Sequence, residues 1–269
     1  MRSLSSEYNR GRGKVHFTVA AETDVGTTKE INQDSILVRH GKYSEEEVLM
    51  AVICDGMGGL DKGELASATV IRAFLQWFDK ELPYELENPD MQVIGEKWSL
   101  LLKELNVKIQ EYGQARKISL GTTFTGMLLA GSQYVIVHVG DSRAYRIGKN
   151  LRQITSDHTL VARKLERGDM TAEQAKRDKR RSMLLQCVGA SDILNPDVLV
   201  GDTEKGIYML CSDGLRNEVT EGEIFDAFNP KKNGDSEAMH ANAGHLIRLA
   251  KQRQEKDNIS VILIRTDWE

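Results

Sequence analysis

The chain has 269 residues, 40% hydrophobic and 28% charged, with four prolines, which is ample apolar material for a buried core. Its net charge of −4 argues against a nucleic-acid binder, which usually shows a basic face. No apolar run approaches the ~20 residues a membrane helix needs, and the opening MRSLSSEYNRGRGK has no apolar stretch of the secretory kind. A soluble, cytoplasmic protein is expected. The cysteines Cys54, Cys187 and Cys211 form no CxxC pair, and at least Cys54 and Cys211 lie in apolar runs. They read as small buried hydrophobes of a reducing compartment.

Residues 1–11 read as a mobile leader and 12–268 as one domain. Lys14–Thr23 alternates as a first strand. A turn over Asp24–Asn32 follows, then a strand from about Gln33 to Arg39, and Gly41–Glu47 reads as a polar hairpin loop. The next stretch, VLMAVICDGMGG from Val48 to Gly59, organises the chain: a continuous apolar run, a strand buried on both faces, ends in Asp55 and Gly56. A lone acid at the edge of a dry core is costly unless something neutralises it.

From here the period changes. Leu65, Ala66, Thr69, Val70, Ala73, Phe74 and Trp77 recur at helical spacing, so Lys62–Lys80 is an amphipathic helix. A second runs from Met91 to about Tyr112, with Gly113 as its stop. GTTFTGMLLAG, QYVIVHVGDS, RAYRIG and LRQIT are strands joined by short Gly and Asn turns, hence antiparallel hairpins. Asp157–Arg181 is helical and strongly charged. Strands are expected at Met183–Cys187, Pro196–Val200 and Ile207–Cys211, helices at Glu221–Phe228 and Glu237–Glu255, and a last strand at Asn258–Arg265. Strand blocks interleaved with helix pairs make an α+β fold.

Five aspartates sit at the ends of core strands: Asp34, Asp55, Asp141, Asp213 and Asp257. Any one could be a turn residue, since Asp-Gly is a common hairpin signal. Their recurrence, with no His or Cys beside Asp55, Asp213 or Asp257, points to all-oxygen ligation of Mg²⁺ or Mn²⁺ rather than zinc. Gathered carboxylates repel unless cations neutralise them. Two such ions ~3.5–4 Å apart can hold and deprotonate a water for in-line attack on phosphorus.

The motifs TDVGTTKEINQDS (23–35), VICDGMGG (52–59), GTTFTGMLL (121–129), VHVGDSRAYRI (137–147), TSDHTLV (155–161), LLQCVG (184–189), LCSDGL (210–215) and DNISVILI (257–264) together resemble the metal-dependent Ser/Thr protein phosphatases of type 2C, in their bacterial form. The resemblance implies a four-layer αββα sandwich of two antiparallel sheets flanked by helix pairs, 62–80 with 91–112 and 221–228 with 237–255. It implies two Mn²⁺ or Mg²⁺ ions with a possible third. Asp55 would bridge the two, the Gly56 carbonyl would bind the second, and Asp213 and Asp257 would complete the first. Asp34 would orient water from behind the metals, and Asp141 would hold the third ion with Asp213. Asn258 would support the site through hydrogen bonds. Lys29 stands where the family often has an arginine phosphate clamp, Gln33 where it often has Glu, and Met57 where eukaryotic members have a His; bacterial members share the Met. The implied substrates are phosphoproteins opposed by a cognate Ser/Thr kinase, and a monomer is expected. Rival readings are an inactive phosphoprotein-binding module, a phosphatase of a small metabolite on the same fold, and an unrelated two-metal nuclease.

Other residues carry less. His158 in SDHTL suits an acid or base, but a His bonding backbone in a turn is the favoured reading. His138 reads as core, and His240 and His245 as surface. The basic run KRDKRR (176–181) lies in a segment, about 157–182, that matches the family's flap, where it could select acidic phosphopeptides.

Overall fold

From Leu49 to Cys54 six consecutive side chains have no exposed surface. Side chains of a strand alternate between faces. Met50, Val52 and Cys54 accordingly pack under helices, while Leu49, Ala51 and Ile53 pack against a second sheet. That double burial defines the architecture. The computed structural model describes residues 13–57 and 62–269; the leader expected over 1–11, and Gly58, Gly59 and Asp61, lie outside the described residues.

Among those residues ten strands form two antiparallel five-stranded sheets. In one, β1 (Val15–Asp24), β6 (Arg143–Ile147), β7 (Leu151–Gln153), β9 (Gly206–Cys211) and β10 (Ile259–Trp268) lie in the order β1-β10-β9-β6-β7. In the other, β2 (Ser35–Tyr43), β3 (Glu46–Cys54), β4 (Phe124–Ala130), β5 (Gln133–Val139) and β8 (Asp197–Asp202) lie in numerical order. Helices α1 (Gly63–Lys80), α2 (Leu82–Glu85) and α3 (Met91–Arg116) cover the second sheet. Two short helices, α4 (Leu160–Glu166) and α5 (Ala172–Arg177), make up the charged segment. Helices α6 (Asp213–Glu218), α7 (Glu221–Phe228) and α8 (Ser236–Gln252) cover the first sheet. The expected four-layer αββα sandwich is borne out, with apolar layers between helices and sheet on both sides and one between the sheets. Each fully buried Leu, Ile or Phe contributes about 1.5–3 kcal/mol, and Trp98 adds edge-to-face contacts with Phe74 and Trp77 at 5.0 and 5.3 Å.

Three local expectations are corrected. The polar stretch 41–47 is not a loop: β2 and β3 pair through to Tyr43 and Glu46, and only Ser44 and Glu45 turn, at φ 49° and 73°. Two positive φ values match the right-handed twist of a two-residue hairpin, and polar residues extend strands freely where the sheet protrudes into solvent. Gly113 does not stop α3; the helix continues to Arg116, and Lys117 in the left-handed region ends it. The glycine is needed for close approach instead, because a Cβ there would lie 2.7 Å from the Ile118 carbonyl oxygen. Met183–Cys187 forms no strand. Leu184 makes one bridge to Thr159, and Val188 one to Thr122. β5 is paired on both sides, with β4 and β8, so this segment has no place beside it.

Register gathers the acids. Ser35 lies opposite Cys54, and both Arg143 and Val261 lie opposite Cys211. Asp34, Asp55, Asp141, Asp213 and Asp257, adjoining these strand ends, therefore meet at one edge of the sandwich.

Candidate metal centre

Asp55 is held by its own backbone. Its N–H donates to Thr123 Oγ1 at 2.9 Å, and its carbonyl accepts from the Thr123 N–H at 2.8 Å and the Thr122 hydroxyl at 2.9 Å. The first two threonines of GTTFTG thus fix where this carboxylate points. Next to it, Gly56 donates its N–H to the Gln33 carbonyl at 3.2 Å and faces Gly63 at the start of α1. A Cβ on Gly56 would stand 2.5 Å from the Gln33 oxygen and 2.6 Å from the Gly63 oxygen. Only glycine allows the helix to approach the turn this closely.

Asp34 enters from the other side. Its Oδ2 accepts from Ser260 at 2.6 Å and from Ser212 at 2.9 Å, both on the opposite sheet's strand ends. Its Oδ1 is buried without a partner. Asp213 also has one buried, unpartnered oxygen, Oδ1. Asp257 accepts from the Asn258 N–H at 2.9 Å, and Lys29 Nζ lies 3.4 Å from its Oδ1. Asn258 ties this edge together: its Oδ1 accepts from the Gln33 N–H at 2.8 Å, and its Nδ2 donates to the Val25 carbonyl at 2.9 Å.

Crowding and burial act together on these acids. Burial, with the fields of Asp34, Asp213, Asp141 and Asp257 behind it, pushes the Asp55 carboxyl well above the usual carboxylate range. Burial pushes Asp34 to about 7 against the lowering effect of the Ser260 and Ser212 hydrogen bonds. Asp213 is raised by burial and Asp257, with Arg216 opposing. Such a set favours either protons or a bound cation.

The donor set suits a hard divalent cation: every candidate ligand is oxygen, and two buried carboxylate oxygens are unsatisfied. Among the described residues no three His, Cys, Asp or Glu side chains close into a ready-made cage. Mg²⁺-type ions need none, since they keep several waters and bind through one or two carboxylates.

Asp141 is different. Arg216 donates to its Oδ2 at 3.1 Å and to its carbonyl at 2.8 Å. The same guanidinium lies 3.8 Å from Asp157, which Arg143 grips with two 2.7 Å bonds. Burial and Asp213 still raise Asp141 to about 7 against the pull of Arg216. The carboxylate that the resemblance reserves for a third ion thus already has a cation.

The histidines sort themselves. His158 Nδ1 accepts from the Gly140 N–H at 3.2 Å and from Gln186 Nε2 at 2.8 Å, while Nε2 faces Asp197 Oδ2 at 3.0 Å. It pins the loop before Asp141 rather than standing free as an acid or base. His138 is fully buried, and burial and the neighbouring His158 push it down to about 4. His240 pairs with Glu22 on the surface, and His245 is exposed. In the basic run Arg180 is folded onto Asp178 at 2.8 Å.

Sequence reasoning missed Ser212, Ser260 and Arg216. The signal for the serines was a hydroxyl residue interrupting an apolar strand end beside a candidate ligand; for Arg216, an arginine three residues past Asp213 on the first turn of a helix.

A family profile described as Protein phosphatase 2C matches residues 26–232. The chain is 32% identical over 246 residues to the serine/threonine phosphatase stp of Listeria welshimeri, covering 90% of this chain and 93% of that one. The crystal structure of the serine/threonine phosphatase Stp1 from Staphylococcus aureus is similar at TM-score 0.81 and 29% identity, covering 96% of this chain and 98% of Stp1. The PstP catalytic domain, solved in complex with two manganese ions, is similar at TM-score 0.73 and 27% identity, covering 94% of this chain and 99% of that domain. A family match across most of the sequence and a shared fold over nearly its whole length agree: this chain belongs to the protein phosphatase 2C family, the metal-dependent serine/threonine protein phosphatases.

Proposed function

We propose that the family's hydrolysis of phosphoserine and phosphothreonine in proteins takes place here at the edge formed by Asp55, Gly56, Asp213 and Asp257. The observation that carries this assignment is the clamping of Asp55 by Thr122 and Thr123 with its carboxyl among four others. Asp55 would reach two ions, the Gly56 carbonyl the second, and Asp213 and Asp257 the first. Divalent cations bound there supply a water of lowered pKa and neutralise the charge of the phosphoryl group. Asp34 is fixed through Oδ2 by two serines, which leaves Oδ1 to accept the proton side of the attacking water and aim it. Lys29 brings one positive charge to the same edge for the phosphate, without the two-pronged grip of an arginine. Met57 carries no proton to give, and His158 is engaged by Gly140, Gln186 and Asp197, so neither protonates the leaving oxygen.

The ions would be Mn²⁺ or Mg²⁺, and two rather than three, because Arg216 takes the carboxylate of Asp141. The manganese pair in the PstP domain supports the two-ion count. Residues 12–268 act as one catalytic domain, working as a monomer against phosphoproteins made by a cognate Ser/Thr kinase. No helix among the described residues is long and apolar enough to cross a membrane. Three buried free cysteines support a cytoplasmic setting.

The test is phosphate release from a phosphothreonine peptide with and without Mn²⁺. Wild type should turn over only with metal, and Asp55→Asn should lose at least about 10²–10³-fold in kcat. Turnover that survives the substitution would place the chemistry on other residues.

A further inference from the structure

The far end of the first sheet carries a basic groove of ≈ 890 Å³, bounded by the β6–β7 turn, the loop before β9 and the loop after α7. Six cationic side chains line it: Arg146, Lys149, Arg152, Lys205, Lys231 and Arg265. Among its described lining residues Glu204 is the only carboxylate. Asp267 stands just behind, 3.2 Å from Lys205 and paired with Arg265. In a chain of net charge −4 this is a strong local excess of positive charge.

The groove is built around Arg146. Its side chain is 7% exposed, yet its Nη groups donate only to the neutral carbonyls of Ile147 and Lys205. Its Nε is buried with no partner. The nearest carboxylate, Glu204, is 3.8 Å away, 59% exposed and shared with Arg152 at 3.5 Å. Two glycines make room for this guanidinium. A Cβ on Gly206 would lie 2.4 Å from Arg146 Nη1, and one on Gly148 would lie 2.9 Å away. The guanidinium carbon also lies 5.4 Å from the centre of the Tyr208 ring. A largely buried cation whose nearest counter-charge is beyond hydrogen-bond reach and solvated is under-compensated, and two glycines hold it in a position that suits a bound anion. Lys149 and Lys231 stand on the rim, exposed, with no ion pair among the described residues.

From this geometry we infer that the groove is a binding site for a small polyphosphate anion, separate from the metal centre. Its volume lies in the range of small-molecule sites, about 300–1,000 Å³. Arginine forks and lysine ammonium groups are the usual partners of phosphate. One carboxylate-sized anion would leave most of the positive charge unbalanced, whereas a chain of two or three phosphates carries enough charge to answer Arg146 and the rim lysines together. Phe225 lies along the wall beside Asn150 and Asn229, so the polyphosphate of a nucleotide and an inorganic polyphosphate are both accommodated.

The experiment is calorimetric titration of the full chain with inorganic tripolyphosphate and, separately, with ADP. Mg²⁺ is held in excess in cell and syringe so that chelation heats cancel. Wild type should bind one tripolyphosphate per chain, more weakly as salt rises. Lys149→Glu with Lys231→Glu should weaken it about tenfold or more, and Asp55→Asn should leave it unchanged. Lys149→Gln with Lys231→Gln, expected to fall between, guards against a charge-reversed variant that does not fold; melting curves check both. ADP binding as tight as or tighter than tripolyphosphate assigns a nucleotide ligand, and tripolyphosphate binding alone assigns an inorganic one. No binding of either probe, binding untouched by the lysine substitutions, or binding lost in Asp55→Asn would overturn the inference.

Discussion

The two ends of the first sheet carry opposite charge on the same strands. β6 is preceded by Asp141 and holds Arg146 near its far end; β9 is flanked by Lys205 before it and Asp213 after it; β10 follows Asp257 and carries Arg265. At ~3.3 Å per residue the charged groups at the two ends lie roughly 17–26 Å apart along the strands. Between them the strands are apolar and closed to water. The comparison teaches why sites sit where they do. A charge in the middle of these strands would face a dry core on either side, so the fold can place ionised groups only where strands leave it. At one end carboxylates crowd until they favour cations. At the other a guanidinium is enclosed by carbonyls until it favours anions.

The largest expected effect comes from removing the cation that pairs with Asp141. Arg216→Ala leaves Asp141 buried without its partner, and should cost about 3–5 kcal/mol in urea or thermal unfolding without added metal. Mn²⁺ should then restore part of that stability, and native mass spectrometry should count one more Mn²⁺ per chain than in wild type. An unchanged count would mean that Asp141 is no ligand even when free.

A smaller effect sharpens the acid end from within. Ser260→Ala removes the 2.6 Å bond that orients Asp34. Loss of such an orienting partner should weaken Mn²⁺ binding about 10–100-fold, read by titration calorimetry. Unaltered affinity would make Ser260 a packing residue only.

The smallest effect is a slope. Asp34 and Asp141 are raised to about 7 and Asp55 and Asp213 are raised too, from a value near 3.8 in the unfolded chain. Between those values the folded state holds more protons than the unfolded one. Stability of the metal-free chain should therefore fall as pH rises from about 4 to 7, the reverse of ordinary ion-paired acids. Melting temperature should drop by several degrees between pH 5 and 8. Asp55→Asn should flatten the slope, and the paired lysine substitutions at the basic end should not. A melting temperature that climbs over this range would show that the acids are not crowded as described.

Much of this was legible in the sequence, at particular places. Asp55 announced itself because seven apolar or small residues, Val48 to Cys54, run straight into it, and the same pattern marked Asp213 and Asp141. Gly56 followed from the turn. What misled was partner-dependent. Met183–Cys187 is apolar enough for a strand, but Met183 and Leu185 are largely exposed and both sides of β5 are already paired, with β4 and β8. The 41–47 stretch looked like a loop because its polarity reflects solvent around a protruding hairpin, not a break in pairing. Arg216 drew no attention in the sequence, because only the placing of α6 turns it onto Asp141.

By itself the sequence determined which strands are buried on both faces and which acids end them, because run length and period are local properties of a chain. Only the tertiary structure decided what those acids meet. The hydroxyls that hold Asp34 come from residues 178 and 226 positions away. The arginine on Asp141 is 75 positions distant. Electrostatic energy depends on separation in space and on the surrounding dielectric, and neither is written in the order of residues.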